Sequence, residues 1–302
     1  MMTDGIVADI SELIDLKRYA RSVKFHPQKK IVRAGNHVSK IRGRGMDFAE
    51  VRNYQPGDEI RHMEWRITAR TGKPHVKLYE EERERPVVVI VDFNPSMYFG
   101  TRVAFKSVVA ARLASLIAWT TVKQGDRIGG LLFSADRHSE YVPMGRDAGV
   151  LTLLSGLSQY SKEKNFHYEI SGKPLSQALL RARRVIRPGS ILVLISDFYN
   201  VDNIVKDHLS RLRVNNEILA YHICDPLELS PPRPQQYAIS NGSQELLLDT
   251  ADDKVSQAYS LYCDNRIENL RAMLKSLHIQ YAQVTAEMDV AWVVRGTFPR
   301  RN

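Results

Sequence analysis

Cysteine is nearly missing from this chain: Cys224 and Cys263 stand alone among 302 residues, and neither belongs to a C-x-x-C pair. A disulfide-built scaffold is excluded, and the two thiols read as reduced packing residues of a cytoplasmic protein, with a disulfide between them the lesser option. Long apolar runs are missing too. Val87–Val91 and Ile191–Ile195 are strand-length, far short of a membrane span. Met1 to Asp15 carries Asp4, Asp9, Glu12 and Asp15 and no apolar core, so it does not read as a signal peptide. The nine histidines fall at no ligand spacing such as H-x-x-x-H, which argues against a zinc site. There is no P-loop and no G-x-S-x-G.

What is present is ordinary globular material, 43% hydrophobic and 25% charged. The length suits one large α/β domain with an appendage, or two modest domains. The formal net charge of +9 gathers in one stretch. From Lys17 to Met46 there are Lys17, Arg18, Arg21, Lys24, Lys29, Lys30, Arg33, Lys40, Arg42 and Arg44, and no acid. That block is either a solvated face or a docking surface for phosphate or an acidic partner. Few aromatics interleave it for base stacking, so nucleic-acid binding stands as the alternative reading.

The texture changes near Arg85. Before it, Ser11–Val23 reads as a short amphipathic helix capped by Ser11, with Leu13, Leu16 and Ala20 on one stripe. Turn-rich sequence follows, then a strand at His75–Tyr79 and the acids Glu80, Glu81, Glu82 and Glu84. After Arg85, buried strands alternate with helices. Strands are expected at Val87–Val91, Arg127–Phe133, Tyr141–Pro143, Ile191–Ile195, Glu217–Ile223 and Tyr281–Val284. Helices are expected at Val103–Val122, Asp147–Leu157, Pro174–Ile186, Asn203–Leu212 and Asn265–Leu277. This alternation predicts an α/β fold with a parallel sheet flanked by helices. Asn241-Gly242 between two apolar runs, Tyr237–Ser240 and Glu245–Leu248, predicts an inserted hairpin. The expected division is an extension at 1–85 and a sheet domain at 86–302.

Ligands of open parallel sheets sit outside the carboxyl ends of the strands. Two strands end in acids there. Val87–Val91 delivers Asp92, Asn94 and Ser96; Ile191–Ile195 delivers Ser196 and Asp197. Such oxygen donors suit Mg2+ or Mn2+. A buried strand ending in Asp-x-Asp also begins the aspartyl-phosphate hydrolases, but Asn94 stands at the general-acid position and cannot move the proton. A phosphohydrolase is therefore the least favoured class.

Asp92-x-Asn94-x-Ser96 with Ser196-Asp197 resembles the metal-ion-dependent adhesion site of von Willebrand factor A domains. Ser171-Gly172-Lys173-Pro174-Leu175 is similar to the context of that site's second motif, a threonine before a helix. Asn94 replaces a serine of the pattern and Lys173 stands where the threonine is expected. The segment Gly43-x-Gly45-x-x-Phe48-x-x-x-Arg52-x-Tyr54-x-Pro56-Gly57-Asp58-x-x-Arg61-x-x-x-Trp65-x-x-x-Ala69-Arg70 is similar to the signature of the bacterial family called "domain of unknown function 58". Members join that signature to an A-type domain and often accompany MoxR-type AAA+ ATPases. The resemblance, running from about Gly35 to the C-terminus, implies a von Willebrand factor A-like sheet domain. It also implies a non-enzymatic, adaptor or chaperone-like role beside such an ATPase.

Two local expectations follow. Pro56-Gly57 fixes a turn that presents Asp58. Arg52, Arg61 and Arg70 can pair with Asp58, Glu64 or carbonyls, locking this turn-rich extension onto the sheet domain while Trp65 packs, or else presenting a partner surface. A protonated lysine offers no lone pair, so Lys173 between Asp92 and Asp197 would oppose a metal ion and act as a built-in cation.

Overall fold

The computed structural model describes residues 5–20, 46–81, 85–162, 173–240 and 245–298. These residues fall into two units, 5–20 with 85–298 and, separately, 46–81. In chain order, the first unit opens with α1 (Ile10–Asp15) and α2 (Lys17–Ala20). The second unit holds β1 (Met46–Asn53), α3 (Trp65–Thr71) and β2 (His75–Glu81). The first unit then resumes with β3 (Val87–Asp92), α4 (Lys106–Lys123), β4 (Ile128–Phe133), β5 (His138–Met144) and α5 (Arg146–Lys162). It continues through α6 (Pro174–Val185), β6 (Ile191–Ser196), α7 (Asn203–Asn215) and β7 (Glu217–Cys224). The hairpin β8 (Gln236–Ser240) and β9 (Glu245–Asp249) precedes α8 (Asp253–Ser276), β10 (Gln280–Thr285) and α9 (Val290–Thr297).

The large sheet runs β10-β7-β6-β3-β4-β5. Its strands are parallel except for β5, which pairs antiparallel with β4 through an irregularity in register beside Pro143. Numbered by their own succession, the strands take the 3-2-1-4-5-6 order of doubly wound sheets, and the order reverses between β3 and β6. β-branched residues make these central strands continuous apolar runs because both faces are covered. Val87, Val89 and Val91 of β3 and Ile191, Val193 and Ile195 of β6 face α4, α5 and α9. Ile90, Leu192 and Leu194 face the opposite layer, which contains α6 and α7.

α4 is the central helix. It is buried almost all round, with Val108, Ala111, Leu113, Leu116 and Ile117 fully enclosed, as a helix apolar on every face must be. The N-terminal helix, read from sequence as part of the extension, belongs to this unit. The Leu13 carbonyl accepts from Ser115 Oγ and Trp119 Nε1, and Glu12 pairs with Arg112 at 2.6 Å. Leu13, Leu16 and Ala20 face the core as expected. The helix begins after Asp9 rather than Ser11 and breaks at Leu16; Arg21–Val23 lie outside the described residues, as do Asn241 and Gly242 of the hairpin turn. No described helix is long and apolar enough to cross a membrane.

In the unit of residues 46–81, β1 and β2 pair antiparallel, and α3 ends on Gly72 in a left-handed cap. Gly57 has φ +106°, a conformation that L side chains resist, so the expected turn does need its glycine.

Candidate functional site

The strand-order reversal sets the carboxyl ends of β3 and β6 side by side, and the acids sit there. Asp92 ends β3. Its Oδ1 accepts the Asn94 backbone N–H at 2.8 Å, and its Oδ2 accepts the Ser196 hydroxyl at 2.6 Å. The Ser196 hydroxyl in turn accepts the Phe198 N–H at 2.9 Å. Asp197 accepts the Tyr199 N–H through Oδ1 at 3.1 Å and the Ser96 hydroxyl as well. Asp92, Asn94, Ser96 and Asp197 therefore meet at one place, as expected.

Lys173 does not join them. It precedes α6, is 58% exposed along its side chain, and pairs with Asp202 at 2.6 Å. The expected built-in cation at this position is thus corrected: Lys173 faces the α7 cap, because α6 starts immediately after it and turns its side chain outward. Ser171 and Gly172 lie outside the described residues.

Another lysine holds the place. Lys106, the first residue of α4, reaches Asp197 Oδ2 at 2.9 Å and Glu228 Oε1 at 2.6 Å. The Lys106 and Asp197 side chains are 3% and 2% exposed. Glu228 is itself fixed, since its other oxygen accepts the Asp225 N–H at 2.9 Å in a capping box on the turn Pro226–Glu228. Asp225 also accepts the Thr101 N–H and hydroxyl at 2.7 and 2.6 Å. The loops after β3, β6 and β7 are thereby sewn together by charge-assisted bonds.

Electrostatics follow from burial. Enclosure, and next the Asp197 charge, push the Asp92 carboxyl up from 3.8 to about 7. Burial alone would raise Asp197, but the Lys106 charge and hydrogen bond hold it below its usual range. Burial opposes the charge on Lys106, and Asp197 and Glu228 more than restore it. One carboxylate of the pair carries the charge and its neighbour tends to keep a proton. Beneath them His222, pushed down to about 4 by burial, stays neutral with Nδ1 2.9 Å from the Tyr281 hydroxyl. Phe198, directly after Asp197, adopts φ +48°. A bulky residue in that region is strained, and strain of this kind concentrates at functional sites.

The family pattern implies Mg2+ or Mn2+ here, and the residues do not fit one. The Asp92 oxygens are taken by Asn94 and Ser196, and Asp197 by Lys106, Tyr199 and Ser96. Asn94 Oδ1 is buried with no hydrogen-bond partner among the described residues, one oxygen where such ions want about six. A divalent ion about 4 Å from the ammonium would be repelled by about 8 kcal/mol at an effective dielectric near 20. Among the described residues no three His, Cys, Asp or Glu side chains gather as a metal requires.

The rim is aromatic. α8 lays Tyr259, Tyr262 and Arg266 along one stripe. Arg266 donates to the Asp197 carbonyl at 2.9 Å and stacks 4.8 Å from the Tyr199 ring, and Tyr259 donates to the Leu227 carbonyl. Tyr199 and Tyr262 are 53% and 60% exposed. The sequence reading missed Lys106, Glu228 and this stripe. Its α8 began at Asn265, and the available start signal was Asp252, whose side chain caps the helix at Lys254 N.

Of the signature residues, Arg52 pairs with Asp58 at 2.7 Å, and Asp58 also accepts the Gln55 N–H at 2.8 Å, so the expected arginine–aspartate pairing forms within this unit. Tyr54 donates its N–H to the Pro74 carbonyl. Glu64 pairs with Lys77 at 2.5 Å rather than with an arginine. Arg61 and Arg70 are exposed, with no ion pair among the described residues. Trp65 is 63% exposed and anchors no packing within this unit. Gly43, Gly45 and the basic residues from Arg21 to Arg44 lie outside the described residues.

Among solved structures, the conserved hypothetical protein BatB from Bacteroides thetaiotaomicron is similar over 70% of this chain and 96% of its own, with 13% identity and TM-score 0.41. The SpRpn10 VWA domain is similar over 73% of this chain and 98% of its own, with 10% identity and TM-score 0.39. In sequence, uncharacterized proteins of Mycobacterium bovis and Mycobacterium tuberculosis are 28% identical over 207 residues, 66% of this chain. The match spans 61% of the length of those relatives. Residues 50–266, from the signature through the cleft to Arg266, match the family described as "Protein of unknown function DUF58". Signature, strand-end acids and mostly parallel sheet agree with that match, and the chain belongs to the DUF58 family.

Proposed function

We propose that this protein is a non-enzymatic protein-binding module that docks its partner on the rim at the carboxyl end of the large sheet. One observation carries the reading: a sealed, hydrogen-bonded floor of charges lies under an exposed aromatic rim. Tyr199 and Tyr262 present their rings to solvent above buried Asp92, Asp197 and Lys106, and Arg266 ties the rim to the floor. Tyrosine and arginine over a preorganised base are the residue types that dominate protein contacts. A catalytic role has less support. Both Asp92 oxygens are engaged, the residue is buried, and Asn94 cannot transfer a proton. The alternative nucleic-acid reading rests on Lys17–Arg44, which the described residues leave almost wholly aside.

The resemblance makes a MoxR-type AAA+ ATPase the first partner to test. Immobilised wild type and a Tyr199→Ala/Tyr262→Ala variant are offered the purified ATPase with and without nucleotide. Loss of two exposed aromatic anchors is expected to weaken capture by about thirtyfold, the effect of about 2 kcal/mol. Near-UV circular dichroism checks that the variant keeps its fold. Undiminished capture by the variant rules out the rim, and no capture by wild type in any nucleotide state rules out that partner.

A further inference from the structure

We infer that the Lys106 ammonium is the resident cation of this cleft, standing where the family pattern places a divalent ion, so that the cleft assembles without metal. The inference rests on reading the carboxyl-end cleft as the functional site.

Lys106 is an improbable residue unless it has that task. It opens α4, where the helix macrodipole disfavours positive charge. It is buried in a helix that is otherwise enclosed on nearly every face. A lysine in such a place is retained only if it is paired and hydrogen-bonded. Both partners are prepared for it. Asp197 is aimed by the Tyr199 N–H and Glu228 by the Asp225 N–H, so each carboxylate offers the ammonium one oxygen of fixed direction.

The pairing also bridges loops far apart in sequence. Lys106 is 91 residues from Asp197 and 122 from Glu228. It joins the ends of β6 and β7 through the start of α4, the bridging duty a metal ion performs in such a cleft. The substitutions elsewhere in the pattern agree. Asn94 brings an uncharged amide where a ligand hydroxyl is expected, and Lys173 turns away to Asp202. With its cation built in and buried, the floor of the cleft offers a partner's carboxylate no exposed ammonium among the described residues, and recognition falls to the rim.

The test needs no partner, so its failure and that of the docking reading are seen separately. Wild type, Lys106→Ala and Lys106→Ala/Asp197→Asn are titrated with MnCl2, with unbound Mn2+ followed by electron paramagnetic resonance and unfolding temperature recorded alongside. Wild type is expected to take up no Mn2+ and to unfold at the same temperature with Mn2+ or with chelator. Lys106→Ala removes the ammonium from between Asp197 and Glu228 and is expected to gain Mn2+ affinity by at least about tenfold, ~1.4 kcal/mol. Its unfolding temperature then rises with Mn2+, and the added Asp197→Asn removes the gain. If Lys106→Ala folds only when Mn2+ is present, that rescue is the same result. Lys106→Ser, which supplies a small hydroxyl, is the second variant. Saturable Mn2+ uptake by wild type that is lost on Asp92→Ala overturns the inference. So does failure of both lysine variants to take up Mn2+, whether they fold or not.

Discussion

The cleft and the unit of residues 46–81 both set basic side chains against carboxylates, in opposite surroundings. In the cleft, Lys106 and Asp197 are sealed from water, and every carboxylate oxygen with a stated role is held by a directed donor. In the smaller unit the Arg52–Asp58 pair is a third and a fifth exposed along its two side chains (32% and 19%), and Arg61, Trp65 and Arg70 face outward. The longer and more specific motif is thus the less buried one. Burial, not the length of a motif, decides where an ion pair carries energetic weight.

The most damaging way to probe that contrast is Lys106→Met. It keeps the stem but leaves buried Asp197 and half-buried Glu228 uncompensated, with an expected loss of about 3–5 kcal/mol of folding stability by urea denaturation. A loss below 1 kcal/mol would erase the distinction between the two regions.

A pH series sharpens it further. The folded Asp92 carboxyl lies near 7 against 3.8 in the unfolded chain, so between those values the folded state binds the extra proton. Asp92 alone should lower stability as pH rises from about 4 to about 7, while His222, pushed down from 6.5 to about 4, raises it between about 4 and 6.5, so the two largely offset. Asp197, held low, acts in the opposite sense and only below that window. Asp92→Asn removes the falling contribution and is expected to leave stability rising between pH 4 and about 6.5 through His222, and an unchanged slope would place the titrating group elsewhere.

Two smaller effects bound the comparison from the other side. Lys173→Thr breaks an exposed pair with Asp202 and should cost about 0–1 kcal/mol, with no gain in Mg2+ or Mn2+ affinity by calorimetry. Trp65→Ala, at an exposed position, should move the denaturation midpoint by no more than about 0.5 kcal/mol of stability. A large, cooperative loss there would show that the signature unit hides more than its exposure suggests.

The large sheet was legible because its central strands are apolar on both faces and end in acids, a pattern few other structures produce. Its antiparallel edge was not read as such, since alternating His138–Met144 carries no sign of direction. Asp92, Asn94, Ser96 and Asp197 were found because strand ends converge by topology. Lys106 was missed because side-chain reach across 91 residues leaves no local trace. A signal nevertheless existed: a lysine at the head of a helix with almost no polar face must find partners inside the protein. Lys173 was misplaced because motif spacing fixes a backbone position, not the direction of a side chain. β1, α3 and α9 escaped because Met46–Asn53 carries Asp47, Glu50 and Arg52 among its apolar residues and because Trp65–Thr71 and Val290–Thr297 are helices of only seven and eight residues.

The antiparallel strand β5 has a consequence for how the molecule behaves in crowded solution. As the last strand on its side, it presents a row of backbone groups that could template a strand from another chain, and Val142 and Met144 lie exposed along it. Pro143, at an irregularity in register against β4, has no N–H to offer such a strand and bends the ribbon away from flatness. An edge interrupted in this way is a poorer template for an added strand than a flat, unbroken one.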